Sequence, residues 1–263
     1  MTRMTFDRHC GEIVAQTDLL RSHIQGADLS VPVPSCPGWT VNQLLRHLGG
    51  AQRWAAETVR GRVTEPLPEG HFRDLSPYVG EDPAILDGWL AEGAGELADA
   101  LREAGPDAEL WTPVPGERTA FYARRFAHET ALHRADAALA LGVPYDLDEE
   151  VALDAVDEWL SLGSLPMMFD HHPELRELLG PGRTLHFHAT NTAPEAAAEW
   201  VVDLTGDGIT WRRAHEKAAV AVRGPLVELL LTLYRRRSPH DGTVEVIGDA
   251  KLLDFWQERV AFG

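Results

Sequence analysis

Two histidines and one glutamate have the residue types and the spacing to bind one metal ion. Glu129 and His133 lie four residues apart in a segment with a helical pattern, so both side chains project from one helix face. His47 lies in a separate segment that is also predicted to be helical. Two imidazole nitrogens and one carboxylate oxygen suit Zn²⁺ or another divalent ion and leave a fourth coordination position open, as in catalytic zinc sites. The expected fourth ligand is a water, a thiol or a substrate.

The same spacing has a simpler explanation. A carboxylate and a histidine four residues apart also form ordinary solvated pairs on helices. His128 is a second candidate ligand, but on a helix it points about 100° away from its neighbour Glu129. Pairing His128 with His133 is also less favoured, because the two are five residues apart.

Other residues whose side chains could bind a ligand or act as a nucleophile have plain structural explanations. His186 and His188 alternate in a predicted strand and share one face, which is either a ligand-facing wall or, as we favour, a half-exposed sheet face. Cys36 is a lone cysteine in a proline-rich loop without a local base, which favours packing over nucleophilic catalysis. His171 and His172 precede a proline and are predicted to lie in a loop or at a helix edge.

The composition limits the partners of the chain. Its net charge of −17 argues against nucleic acid or an anionic membrane surface as a general partner. No apolar run approaches membrane-spanning length, and the first residues contain no continuous apolar stretch typical of a signal peptide. The 2 cysteines exclude a disulfide framework and a thiolate-rich zinc site. We therefore predict a cytoplasmic monomer or weak homodimer with small-molecule partners.

The pattern over residues 1–145 predicts a four-helix bundle, and bundle interiors can hold metal sites built from facing helices. Thr40 with Gln43 forms a capping-box pattern at the start of the second helix. The predicted helices end near Gly26, span about 41–60, run from Asp82–Pro83 to near Gly105, and span about 119–141.

Residues 146–263 have a different pattern and are predicted to form a smaller α+β domain. The segments TLHFHAT, AEWVVDLT, GITWRR, AAVAVRG and TVEVIGD have the composition of short strands. VALDAVDEWLSLG, PLVELLLTLYRRR and LLDFWQERV are predicted helices. The order of elements favours an antiparallel sheet with helices on one face.

The chain resembles a known family in these segments. CPGWTVNQLLRHLGG, RRFAHETALHRADAALALG and the tail GPLVELLLTLYRRR with VEVIGD resemble mycothiol-dependent maleylpyruvate isomerase-like proteins of the DinB/YfiT metal-binding superfamily. The resemblance implies a DinB-like four-helix bundle followed by a sterol-carrier-like α+β domain. It also implies a divalent metal, usually zinc, held by His47, Glu129 and His133, with mycothiol as a thiol cosubstrate.

The resemblance further implies an active-site arginine near the end of a helix in the second domain. The family segment resembles Leu-Trp-Gly-Arg, whereas this chain has Leu233-Tyr234-Arg235-Arg236. Arg236 takes the arginine position, where it is expected to hold a substrate carboxylate. The replacement of Trp and Gly bears on the substrate more than on the metal. An arginine run at a helix end also has a simpler role, since it complements the helix dipole.

The implied activity is that of an isomerase or S-transferase in which a metal-bound thiolate attacks a small electrophile such as maleylpyruvate. Two other functions fit the same residues. One is a metal-bearing protein that binds a small apolar ligand, and the other is a metal hydrolase that works without a thiol.

Overall fold

The computed structural model describes residues 4–70 and 83–260. Internal contacts divide the chain into two compact units, with the division between Tyr145 and Asp146. The first unit is helical and the second contains a five-stranded sheet. Among the described residues, no helix has both the length and the apolar character needed to cross a membrane.

Four long helices form the first unit, as the sequence pattern predicted. They are α1 (Phe6–Ile24), α2 (Val41–Gly61), α3 (Pro83–Ala104) and α4 (Thr119–Leu141). Helix α1 packs against α3 and α4, and α2 packs against α3 and α4. Asp82, the predicted cap of α3, lies outside the described residues.

The start of α2 is fixed by the predicted capping box. The Thr40 hydroxyl accepts a hydrogen bond from the Gln43 backbone N–H, and the Gln43 side chain accepts one from the Thr40 backbone N–H. These bonds satisfy donors that a helix start otherwise leaves unpaired. Further along α2, a Cβ atom at Gly49 would lie 2.3 Å from the Trp89 ring of α3. The absence of a side chain therefore permits the close approach of α2 and α3.

Helix α4 ends where the sequence predicted. Gly142 follows its last residue with a φ of 66°, a left-handed conformation that glycine adopts without steric cost. Its N–H donates to the Ala138 carbonyl. The site-bearing helices α2 and α4 thus have their ends set by local sequence.

The second unit combines helices with short strands. The helices are α5 (Glu149–Gly163), α6 (Met168–His171), α7 (Leu226–Leu233) and α8 (Ala250–Gln257). The strands are β1 (Thr184–Ala189), β2 (Glu199–Asp203), β3 (Thr210–Arg213), β4 (Val220–Gly224) and β5 (Glu245–Gly248). Asp148 caps α5 by accepting from the Glu150 N–H at 3.0 Å.

The sheet has the strand order β3-β2-β1-β4-β5, and the prediction of an antiparallel sheet is wrong at one pairing. Strands β1 and β4 are parallel, whereas the other three pairings are antiparallel. After the β1–β2–β3 meander, the chain returns to the starting end and adds β4 to the free side of β1. Residue alternation indicates which face a side chain takes, but it does not indicate which strands become neighbours.

The helices of the second unit contact the face of the sheet that carries Phe187. The ring of Phe187 lies 5.6 Å from that of Trp256 on α8, which in turn lies 5.3 Å from Trp159 on α5. Asp157 of α5 accepts a hydrogen bond from Trp200 Nε1 at 2.8 Å. Because side chains alternate along a strand, His186 and His188 lie on the opposite face from Phe187.

Candidate metal centre

Helices α2 and α4 bring the three predicted metal ligands together within the first unit. His47 lies on α2, and Glu129 and His133 lie one turn apart on α4. One donor atom from each residue lies within 4.8 Å of the others. The three side chains, here called the helix triad, are partly buried, with exposed fractions of 18%, 28% and 9%.

The distances within the helix triad are close to those of a metal site. His133 Nε2 lies 3.0 Å from Glu129 Oε1, and His47 Nε2 lies 4.0 Å from the same oxygen. Ligand atoms about 2.0–2.2 Å from a tetrahedral Zn²⁺ are about 3.3 Å apart. The two imidazole rings meet edge to face, with their centroids 5.2 Å apart. The donor set and its spacing therefore fit a divalent ion with one position left open.

Arg125 holds the carboxylate of Glu129 from the other side. Its Nη2 donates to Glu129 Oε2 at 2.5 Å, so Oε1 is left to face the two histidines. Burial alone would raise the pKa of Glu129, but the charge of Arg125 and then that of His133 outweigh it and hold this pKa well below its usual value. The Glu129 carboxylate is therefore ionised at neutral pH.

Asp136, which the sequence analysis did not select, orients His133. Its Oδ2 lies 2.9 Å from His133 Nδ1, and its Oδ1 accepts a hydrogen bond from the Ser35 hydroxyl at 2.5 Å. Asp136 is fully buried. A carboxylate that binds the second ring nitrogen fixes the orientation of a metal-ligating histidine and raises its basicity. A signal was present in the sequence, because Asp136 lies three residues after His133 on the same helix face.

The environment of His133 favours a proton in the absence of metal. Burial lowers the pKa of His133, but the charge of Glu129 and the hydrogen bond to Asp136 more than compensate and raise it from 6.5 to about 9. A metal ion that binds Nε2 must displace this proton at neutral pH. The helix triad therefore has the electrostatic character of a cation site.

Aromatic side chains around the helix triad have separate roles. The Trp39 ring lies 4.9 Å from that of His47 and forms one wall beside it. Trp54 lies in the bundle core, with its ring 6.1 Å from those of Trp111 and Tyr122. Trp54 therefore fills the bundle.

The other candidate residues have surroundings of their own. His128 is fully buried, with its ring 5.9 Å from that of His9. Cys36 lies beside the helix triad, with its Sγ 3.8 Å from Asp136 Oδ2 and within 4.8 Å of a ring nitrogen of His133. Arg236 belongs to the second unit, where it follows α7 and its Nη1 donates to the Tyr234 carbonyl at 2.9 Å. Its role in a reaction stays a prediction.

Two family models match the chain, and both describe domains of the same enzyme family. The model of the mycothiol maleylpyruvate isomerase N-terminal domain matches residues 10–138, and the model of the C-terminal domain of that enzyme matches residues 150–255. No curated protein matches the chain by sequence.

Two solved structures share the fold. The structure of a mycothiol-dependent maleylpyruvate isomerase aligns with a TM-score of 0.63 and 16% identity over 94% of this chain and 95% of its own. A histidine-to-alanine mutant aligns with the same TM-score and 15% identity, over the same shares of the two chains. At this level of identity the two structures establish the fold.

Proposed function

Because the chain belongs to the mycothiol maleylpyruvate isomerase family, we propose that it is an enzyme that uses mycothiol and a divalent metal, zinc, to isomerise or thiolate a small electrophile. The observation that carries the proposal is the convergence of His47, Glu129 and His133 within 4.8 Å. A structural zinc site is normally filled by four protein ligands, whereas three ligands leave a position for a cosubstrate.

The metal supplies a Lewis acid that lowers the pKa of a thiol, so that the thiol reacts as thiolate at neutral pH. The residues of the chain prepare this chemistry. Arg125 keeps Glu129 ionised and turned toward the histidines, and Asp136 keeps the Nε2 atom of His133 directed at Glu129. The exposed fraction of 28% at Glu129 leaves the triad accessible to small molecules.

With maleylpyruvate as substrate, the thiolate adds to one carbon of the cis double bond, and a proton is taken up at the neighbouring carbon. Rotation about the resulting single bond, loss of a proton from that carbon and departure of the thiolate give fumarylpyruvate, with no net consumption of thiol. In the transferase alternative the adduct is released, so one thiol is consumed for each product. Arg236 is the proposed partner of a substrate carboxylate in both reactions.

Metal analysis combined with a turnover assay tests the proposal. Purified full-length protein should contain about one zinc at the helix triad and should convert maleylpyruvate only when mycothiol is added. His47→Ala should lose this zinc and lower turnover by at least about 100-fold, the loss expected when a metal worth several kcal/mol is removed. His172→Ala is the matched control, because His172 is an exposed histidine that also has a carboxylate neighbour, Glu174, at 3.3 Å.

Three outcomes would contradict the proposal. If His47→Ala retained the same zinc content as the wild type together with thiol-dependent turnover, the site would be wrongly assigned. Turnover of esters or amides without thiol would indicate a metal hydrolase. Bound zinc without any thiol consumption or isomerisation, together with a co-purified apolar molecule, would indicate a binding protein.

A further inference from the structure

A second group of histidines and a carboxylate lies in the sheet unit, outside the proposed reaction. His186 and His188 lie on the same face of β1, and Glu199 of β2 is the register partner of His188. His215 follows the end of β3, the strand that pairs with β2. These four residues are here called the sheet cluster. The β1–β2–β3 meander thus gathers them from three neighbouring parts of the chain.

Glu199 is the centre of the sheet cluster. Its Oε2 lies 2.9 Å from His186 Nε2, 3.3 Å from His188 Nδ1 and 2.6 Å from His215 Nδ1. The centroids of the three imidazole rings are 5.7–5.9 Å apart. One donor atom from each of the four residues lies within 4.8 Å of every other, near the spacing of about 3.3 Å in a tetrahedral zinc site.

Hydrogen bonding without an ion leaves this arrangement poorly satisfied. Three imidazoles converge on a single carboxylate oxygen, which has two lone pairs for hydrogen bonds. His186 is only 6% exposed, so its ring has little access to water. A cation between the four side chains would use the nitrogen and oxygen lone pairs together.

Burial and charge act in opposite directions within the sheet cluster. Burial lowers the pKa of His186. Burial raises the pKa of Glu199, but the hydrogen bond from His215 and the charges of the three histidines outweigh it, so this pKa is lowered. The neighbouring Arg223, which is the register partner of His188 on β4, lies 3.4 Å from Glu245 and has its own carboxylate partner.

We propose that the sheet cluster binds a second divalent cation, and that its donor set of three imidazoles and one carboxylate selects zinc. Four protein ligands fill a tetrahedral shell, so this is a closed, structural site. The ion links β1, β2 and the segment after β3. It therefore fixes residues that follow β3 to the centre of the sheet, and it stabilises the folded unit because the unfolded chain lacks the assembled site.

Zinc stoichiometry of the full-length, tag-free protein tests the proposal. After saturation with zinc and gel filtration, the wild-type chain should retain one more zinc than either Glu199→Gln or His215→Ala. Both substitutions conserve the fold, since glutamine is isosteric with glutamate and His215 is exposed. His240→Ala is the matched control, because His240 is an exposed histidine in the same unit that pairs with Asp254 at 2.6 Å.

The thermal midpoint supplies a second measurement. Zinc should raise the midpoint of the His47→Ala protein, in which the helix triad is disabled, and adding His188→Ala should abolish this rise. Equal zinc content in wild type, Glu199→Gln and His215→Ala would overturn the proposal, as would a His47→Ala protein that binds no zinc. Circular dichroism checks that each variant is folded, and the isosteric Glu199→Gln gives the decisive result if an alanine variant is not.

Discussion

The helix triad and the sheet cluster use the same side chains in different ways. In the helix triad, Glu129 has Arg125 on one oxygen and two histidines near the other. In the sheet cluster, Glu199 has three histidines around one oxygen and no arginine in that role among the described residues. In the two proposed sites, three donors would leave one tetrahedral position open at the helix triad, and four donors would fill the shell at the sheet cluster.

The two clusters also differ in the direction in which the pKa of a histidine is shifted in the absence of metal. The pKa of His133 is raised to about 9, because Glu129 and Asp136 stabilise the imidazolium more than burial opposes it. The pKa of His186 is lowered, because burial outweighs its single carboxylate partner. Two carboxylates around His133 therefore raise its pKa, whereas burial decides the direction of the shift at His186.

The largest expected effect is a loss of thiol-dependent turnover on substitution of Glu129, the glutamate of the helix triad. Glu129→Gln should lower thiol-dependent turnover by at least about 100-fold, because it removes an anionic ligand of the proposed catalytic metal. Steady-state kinetics with mycothiol and maleylpyruvate, alongside zinc analysis, measures this. Full activity of Glu129→Gln would remove the functional distinction between the two clusters.

A smaller effect is expected from the orienting carboxylate. Asp136→Asn should weaken zinc binding at the helix triad by about 10–100-fold, the usual range for partners of ligating histidines. Competition with a chromophoric chelator measures the affinity. The zinc proposed for the sheet cluster serves as the internal control and should not change. A uniform loss at both clusters would indicate a general folding defect.

The pH dependence of stability should have opposite signs at the two clusters after metal removal. The pKa of His133 is above 6.5 in the folded protein, so its stabilising contribution is complete below pH 6.5 and is lost as the pH rises through about 9. The destabilisation caused by His133→Ala should therefore shrink over that interval. The pKa of His186 is lowered in the folded protein. Its effect on the free energy of unfolding is therefore absent above the unfolded pKa, and it destabilises the folded protein as the pH falls below that value. Urea unfolding with chelator at several pH values checks both slopes, and equal signs would contradict the electrostatic comparison.

The smallest expected effect concerns the entry to α2. Thr40→Ala should lower the free energy of unfolding of the helical unit by about 1 kcal/mol, because it removes the acceptor for the Gln43 N–H. Chemical denaturation followed by helical circular dichroism measures the loss. Thr40→Ser keeps the hydroxyl and is the matched control. Zinc binding at the sheet cluster should be the same in both variants.

Local patterns in the sequence predicted the helices and strands well. The capping box at Thr40, the left-handed glycine at Gly142 and the alternation of His186 with His188 depend on nearby residues, and each is present in the structure. The parallel pairing of β1 with β4 was not predicted, because it depends on the path of the chain between distant strands.

The candidate sites were also predictable only as far as they depend on residues close together in the sequence. His47 could be placed beside Glu129 only by assuming a bundle and by family resemblance, since no local signal links α2 with α4. The sequence showed that His186 and His188 share a face, but we interpreted that face as simply half-exposed. The missing information was the register that sets Glu199 opposite His188, together with the position of His215 beyond β3.

The register of the β1–β2–β3 meander also has a consequence for the order of assembly. The ligands of the sheet cluster fall within residues 186–215, so a short stretch of chain can bring them together as soon as its two hairpins form. The helix triad joins position 47 to positions 129 and 133, so it needs the closure of a long loop and the docking of α2 with α4. If both sites bind zinc as proposed, the sheet cluster should therefore trap zinc earlier during refolding, and the helix triad should fill last.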